Sequence, residues 1–168
     1  MKETHFQQVA LALKDKLFHL AMGMTLCRED AEDIVQETLV RLWRQMQQPT
    51  PIASAEALAV TICRNLALDQ LDRKERRNVP LDAAVHELPD TTRGPGQQLE
   101  TSERLDRVRE AIAALPVKQR TAITLRDIEG YSYKEIAQTM QIGESDVKVN
   151  IFRARQRLRK ALLGTNNP

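Results

Sequence analysis

Aromatic rings are scarce in this sequence: three Phe, two Tyr and one Trp, 4% of 168 residues. Its cores must therefore be built from aliphatic side chains, and no ring occurs between Trp43 and Tyr131. Cysteine is nearly absent too. Cys27 and Cys63 make no metal-ligand spacing with His5, His19 or His86, so no metal site is expected. Two reduced thiols point to a cytoplasmic protein. No run approaches the roughly 18 consecutive apolar residues of a membrane span, and no apolar stretch of the signal-peptide kind follows Met1-Lys2-Glu3-Thr4-His5. No segment alternates apolar and polar residues with period two, so no sheet is expected. Ser/His or Cys/His pairings, a glycine-rich phosphate loop and a metal constellation are also lacking; no catalytic residue, cofactor or enzymatic activity is expected. The net charge of +2 is too small to mark a nucleic-acid partner by itself, so the distribution of charge has to carry that argument.

What is present is helical periodicity. Phe6, Val9, Leu13, Leu17, Leu20 and Met24 recur at steps of three and four, the spacing of one helix face. A second run begins near Asp30, with Ala31, Ile34, Val35, Leu39, Leu42 and Met46 inward, and stops before Pro49-Thr50-Pro51. A third covers Ser54 to Arg77. From Asn78 to Leu99 the prolines 80, 89 and 95 and the glycines 94 and 96 break regularity, which reads as a linker. Periodicity returns with Leu105, Val108, Ile112 and Leu115, closed by Pro116. Another helix covers about Val117 to Ile128 and ends at Gly130. Ser132-Tyr133-Lys134-Glu135 fits a capping box, and the turn Gln141-Ile142-Gly143 leads to a last helix with Val147, Ile151, Ala154, Leu158 and Leu162 inward. The expected fold is all-α: two small helical bundles, residues 1–77 and 102–168, joined by a flexible linker over 78–101.

A short helix, a Gly-containing turn and a longer basic helix form the pattern of a helix-turn-helix. From Ser145 to Pro168 six Lys or Arg face the single acid Asp146, an excess suited to neutralising phosphates. Val149 and Phe152 lie off the apolar stripe and should point outward, where contact with thymine methyl groups gives an aromatic a partner. The run Asp30 to Glu37 is the opposite. Residues 28–41 hold five acids and two arginines, and Asp33, Gln36, Glu37 and Val40 share one face. Charge of that sign opposes DNA binding; a solvated face is the plain reading. Arg64-Asn65, Asp69 and Arg73-Lys74-Glu75-Arg76-Arg77 admit two readings. They form either a basic helix end favoured by the dipole or a contact with a DNA strand, with Asn on a base edge and arginines on phosphates.

Three segments in order resemble the extracytoplasmic-function group of sigma-70-type factors: Asp30–Thr38 through Arg41-Leu42-Trp43, Arg64–Asp69, and Leu115-Pro116 through Leu158. The resemblance covers nearly the whole chain. It implies a sigma region 2-like bundle and a region 4-like helix-turn-helix. It implies that Asp33, Gln36, Glu37 and Val40 dock on bacterial core RNA polymerase. The Pro49–Ser54 loop and Arg64, Asn65, Asp69, Arg73, Lys74, Arg76 and Arg77 would then read and melt the promoter −10 element. Lys148, Val149, Phe152 and Arg153 would face bases of the −35 element, with Arg155 and Arg157 on phosphates. It further implies an anti-sigma protein, membrane-linked, as partner of an otherwise monomeric factor. Where the family often has Trp-Leu-Tyr-Arg before the Asn, this chain has Leu58-Ala59-Val60-Thr61, so unpaired bases must be held without stacking.

The tether bears on this reading. Twenty-two residues reach at most about 75 Å extended and span roughly 25 Å as a coil, against about 70 Å for elements two helical turns apart. The free protein is therefore expected to be compact and to bind promoter duplex poorly. A plain helix-turn-helix regulator is the rival reading. It leaves the Asp30–Glu37 face and the Arg73–Arg77 cluster without a role and calls for a dimer, for which no heptad seam exists. A helical adaptor that binds only protein would show no salt-dependent DNA affinity.

Overall fold

The computed structural model describes residues 2–77 and 99–163, and over these it contains helices and turns with no strand. The elements are α1 Lys2–Thr25, α2 Arg28–Met46, α3 Ala55–Arg76, α4 Leu99–Ala113, α5 Val117–Ile123, a π-helical turn Thr124–Ile128, α6 Tyr133–Met140 and α7 Glu144–Leu163. The fold class expected from periodicity is the one found.

The first three helices pack mutually. Leu13, Leu17, Leu20 and Met24 of α1 are buried against Ala31, Ile34, Val35 and Leu42 of α2. Small residues at steps of four on α3, namely Ala59, Cys63 and Ala67, are wholly buried and let neighbouring helices approach closely. The Cys63 thiol donates to the Leu17 carbonyl at 3.5 Å, and burial pushes its pKa up to about 12, which makes it an inert packing group. Ser54 caps α3 by accepting from the Ala57 amide at 3.1 Å. Between α1 and α2 the chain turns on Leu26, which takes a left-handed backbone with φ of 57°.

In the second half, α7 packs against α4, α5 and α6. Leu115, Ile123 and Ala154, with Leu158, make a small core of their own. The helix expected over Val117–Ile128 is two elements. After Ile123 the chain widens into the π turn, where the Glu129 amide reaches back five residues to the Thr124 carbonyl at 3.0 Å. The extra residue per turn rotates Leu125 into the core and Thr124 toward α1. Gly130 ends the turn at φ of 74°. The capping box is present: the Ser132 hydroxyl accepts from the Glu135 amide at 3.1 Å, and the Glu135 carboxylate accepts from the Ser132 amide at 3.0 Å. Gln141, at φ of 58°, makes the tight turn into α7.

α4 begins at Leu99, so the last residues of the stretch expected as linker, 99–101, are helical. The remainder of that linker, 78–98, lies outside the described residues. The two halves are in contact: α1 packs on α5 and the π turn, and α3 packs on α6. One apolar core runs through both, from Leu17 and Val60 to Leu125, Ile136 and Met140.

Candidate nucleic-acid interface and docking helix

α6 and α7 form the helix-turn-helix, and burial of Val147, Ile151 and Ala154 fixes the rotation of α7. The opposite side of α7 is therefore outward. There Lys148 and Arg153 are exposed, with Val149 at 42% and Phe152 at 61% exposure. The ammonium of Lys148 lies 5.6 Å from the centre of the Tyr133 ring, and the Arg126 guanidinium lies 4.4 Å from it, so the half-buried tyrosine is a platform for cations beside this face. Arg157 is exposed. Arg155 is already engaged: its Nη2 and Nε donate to the Asp127 carboxylate at 2.7 and 3.3 Å. That hydrogen bond holds the Arg155 pKa above its ordinary value.

α3 carries the second set. Arg64 donates from Nη1 to the side-chain oxygen of the exposed Asn65 at 3.0 Å. Burial lowers the Arg64 pKa. Arg73, Arg76 and Arg77 are exposed. Lys74 is different, because it forms an ion pair with Asp30 of α2. Desolvation pulls its pKa down, but the hydrogen bond and charge of Asp30 outweigh that and the net shift is upward. Lys74 thus ties α3 to α2.

On α2, Asp33, Gln36 and Val40 are exposed and Glu37 is half-buried, paired with Arg41 at 3.0 Å. These four share one face, as their spacing predicts. Val40 borders a groove of about 480 Å³ that is walled by Phe6, Leu39 and Trp43, with Phe6 and Trp43 edge to face at 5.0 Å. On the other side a groove of about 260 Å³ between α2 and α3 brings Asp33 and Glu37 together with Asp69, Gln70 and Arg73. Residues that the family pattern divides between polymerase docking and −10 reading therefore line one groove. Asn65 is not among its lining residues.

Several residues of consequence escaped the sequence reading. Asp127 is one, since nothing local marks it as the partner of an arginine 28 positions on. Arg120 is another: it is only 3% exposed, although arginine is seldom buried. Gly23 left a signal, because an isolated glycine inside a helical pattern often marks close packing.

A helix-turn-helix with an aromatic-tipped basic second helix, packed against a three-helix unit with an acidic outer face, defines a DNA-binding transcription factor. Sequence comparison gives the family. Residues 10–77 match Sigma-70 region 2 and residues 105–158 match Sigma-70, region 4, and the chain belongs to the extracytoplasmic-function subfamily of sigma-70 factors, the RNA polymerase factors for promoter-specific initiation. It is 34% identical over 149 residues to the ECF RNA polymerase sigma factor SigE of Mycolicibacterium smegmatis, which covers 88% of this chain but 58% of that protein. It is 31% identical over 158 residues to SigM of Mycobacterium tuberculosis, covering 94% of this chain and 76% of SigM. Its fold is similar to that of the sigma factor RpoE solved with the anti-sigma factor NepR from Bartonella quintana. The TM-score is 0.74 at 24% identity, over 98% of this chain and 99% of that one. Among the described residues no helix is long and apolar enough to cross a membrane.

Proposed function

We propose that residues 1–77 form the unit that docks on core RNA polymerase and handles the −10 element, that 102–168 form the −35 reader, and that 78–101 join them. The observation that carries this is the outward face of α7, where Lys148, Val149, Phe152 and Arg153 stand exposed beyond the helix-turn-helix turn. Apolar side chains left in water on a basic helix find their partners on base edges in the major groove. Arg157 and the free side of Arg155 then take phosphates. The acidic face of α2, with Asp33, Gln36, Glu37 and Val40, docks on polymerase. On α3, Arg64, Asn65, Asp69, Arg73, Arg76 and Arg77 meet the −10 strand, and Lys74 supports them from its ion pair with Asp30. With no ring on α3, Asn65 holds a base by hydrogen bonding alone. The factor supplies contacts, and polymerase supplies the metals and the chemistry. The relative solved with NepR supports an anti-sigma partner for this chain as well. The absence of apolar spans among the described residues fits a cytoplasmic site of action.

The test is reconstitution with bacterial core polymerase on a pool of genomic promoter fragments, scoring run-off transcripts. New start sites should appear with the protein. They should be lost with Asp33→Ala/Glu37→Ala through failed docking, and with Arg153→Ala through failed upstream recognition. Specific duplex binding by the protein alone, with no polymerase binding and no new transcripts, would instead identify a self-sufficient helix-turn-helix regulator.

A further inference from the structure

Between Val149 and Arg153, α7 carries Asn150, a residue type at odds with its position. Asparagine is a poor helix former, because its amide competes with the backbone for hydrogen bonds. Here the Nδ2 of Asn150 donates to the Asp146 carbonyl at 2.8 Å, one turn back. A carbonyl only accepts, so the atom that faces it must be the nitrogen. In an α-helix that same carbonyl already accepts from the backbone amide four residues on, which is that of Asn150 itself. The side-chain bond thus satisfies no orphan acceptor and does little for the fold. Alanine at residue 150 would make a better helix.

What the bond does is place the amide. Buried Val147, Ile151 and Ala154 set the inward side of α7, and helical geometry puts Asn150 about 60° around the axis from Arg153. It is half-buried, at the edge of the outward face. Its tie to Asp146 draws the amide toward the N-terminal end of α7, the end of a recognition helix that meets base edges. The remaining atoms are defined too. An asparagine amide has two N–H donors and one accepting oxygen. Asp146 takes one donor, and no described residue bonds the oxygen. One N–H and Oδ1 are left side by side, a donor next to an acceptor.

On the −35 reading proposed for α7, we infer that Asn150 is a specificity-determining residue for the upstream element and that the base it takes is adenine. In the major groove adenine alone presents a donor beside an acceptor on one base, N6–H and N7. Oδ1 accepts from N6, and the remaining Nδ2–H donates to N7. Guanine offers two acceptors and would set O6 or N7 against Oδ1. Cytosine offers a donor and thymine an acceptor, so each leaves one atom of the amide without a partner. A phosphate only accepts and would leave Oδ1 bare. Lys148, Val149, Phe152 and Arg153 seek methyl groups or acceptors; Asn150 adds a group that seeks a donor.

The test uses the full chain with bacterial core polymerase on promoter fragments whose upstream element is randomised, each with a barcode in the transcribed region. The parent should favour adenine at one position by on the order of tenfold over the other bases. Asn150→Ala, which helix propensity favours, should lose that preference and keep those at other positions. At the same position, an adenine analogue with C–H in place of N7 should lower transcription by the parent and leave Asn150→Ala unaffected. An equal loss by Asn150→Ala on every sequence would mark a phosphate contact and overturn the proposal. An analogue effect of the same size in both proteins would overturn it too. A parent that starts transcripts but shows no position governed by residue 150 would sink the adenine assignment alone, whereas a parent that yields no polymerase-dependent start site would sink the −35 reading and the assignment with it.

Discussion

At the scale of single residues, Asp127 shows how a stability contact and a binding contact can be told apart. It grips Arg155 through two hydrogen bonds, yet both side chains are about half exposed, at 51% and 41%. Such surface pairs contribute about 1 kcal/mol or less. On the proposal that Arg155 takes a phosphate, its larger effect is electrostatic, since the adjacent carboxylate cancels part of the attraction. Asp127→Asn should therefore leave thermal stability nearly unchanged and raise affinity for promoter duplex. It should also steepen the dependence of log K on log salt by up to about 0.9, the increment for one added phosphate contact. A titration at several salt concentrations checks both; an unchanged slope would mean that Arg155 never reaches the backbone. Residues of this scale were unevenly legible in the sequence. Phe152 could be read because burial of Val147, Ile151 and Ala154 dictates which side of α7 faces water. Arg120 could not, because its partners are backbone carbonyls 97 and 96 residues away, and no periodicity encodes a carbonyl.

At the scale of elements, local signals were read where the physics is local. The Ser132/Glu135 box needs only four adjacent residues, and it is formed as its spacing requires. Ser132→Ala should cost about 1 kcal/mol, measured by denaturant unfolding of the full chain. The contribution of Glu135 depends on pH in a defined direction. The Ser132 backbone amide, with help from the hydroxyl, lowers its pKa below the ordinary 4.5. Its stabilisation is thus fully present above pH 4.5 and is lost as pH falls through the depressed folded value. The stability gap between the parent and Glu135→Ala should hold steady from pH 7 to about pH 5 and close under stronger acid. A gap that persists at low pH would show that the carboxylate is not the capping group. The π turn after Ile123 was not legible, since Val117–Ile128 has the apolar spacing of an unbroken helix. What widens it is tertiary: Thr124 has to meet Gly23 while Leu125 enters the core.

At the scale of the molecule, the family pattern led to two units, and their mutual placement came only from the structure, because contacts such as Gly23 to Thr124 leave no trace in either unit's own periodicity. That placement makes a prediction about shape. A compact chain of this length has a radius of gyration of about 15 Å. Two parted units of about half that length, joined by residues able to reach about 75 Å, would exceed about 20 Å. Gly23→Lys is the variant that separates these cases. It places a long side chain where a Cβ alone would already lie 3.2 Å from the Thr124 hydroxyl, and sets a second cation close to Arg120. Lysine is also a better helix former than glycine by roughly half a kcal/mol or more, so α1 itself should not weaken. Small-angle scattering of the free parent protein should give the compact value, and Gly23→Lys should move it toward the open one while circular dichroism holds constant. If the variant stays compact, the apolar contacts of Leu125, Ile136 and Met140 hold the halves together without help from the Gly23 contact.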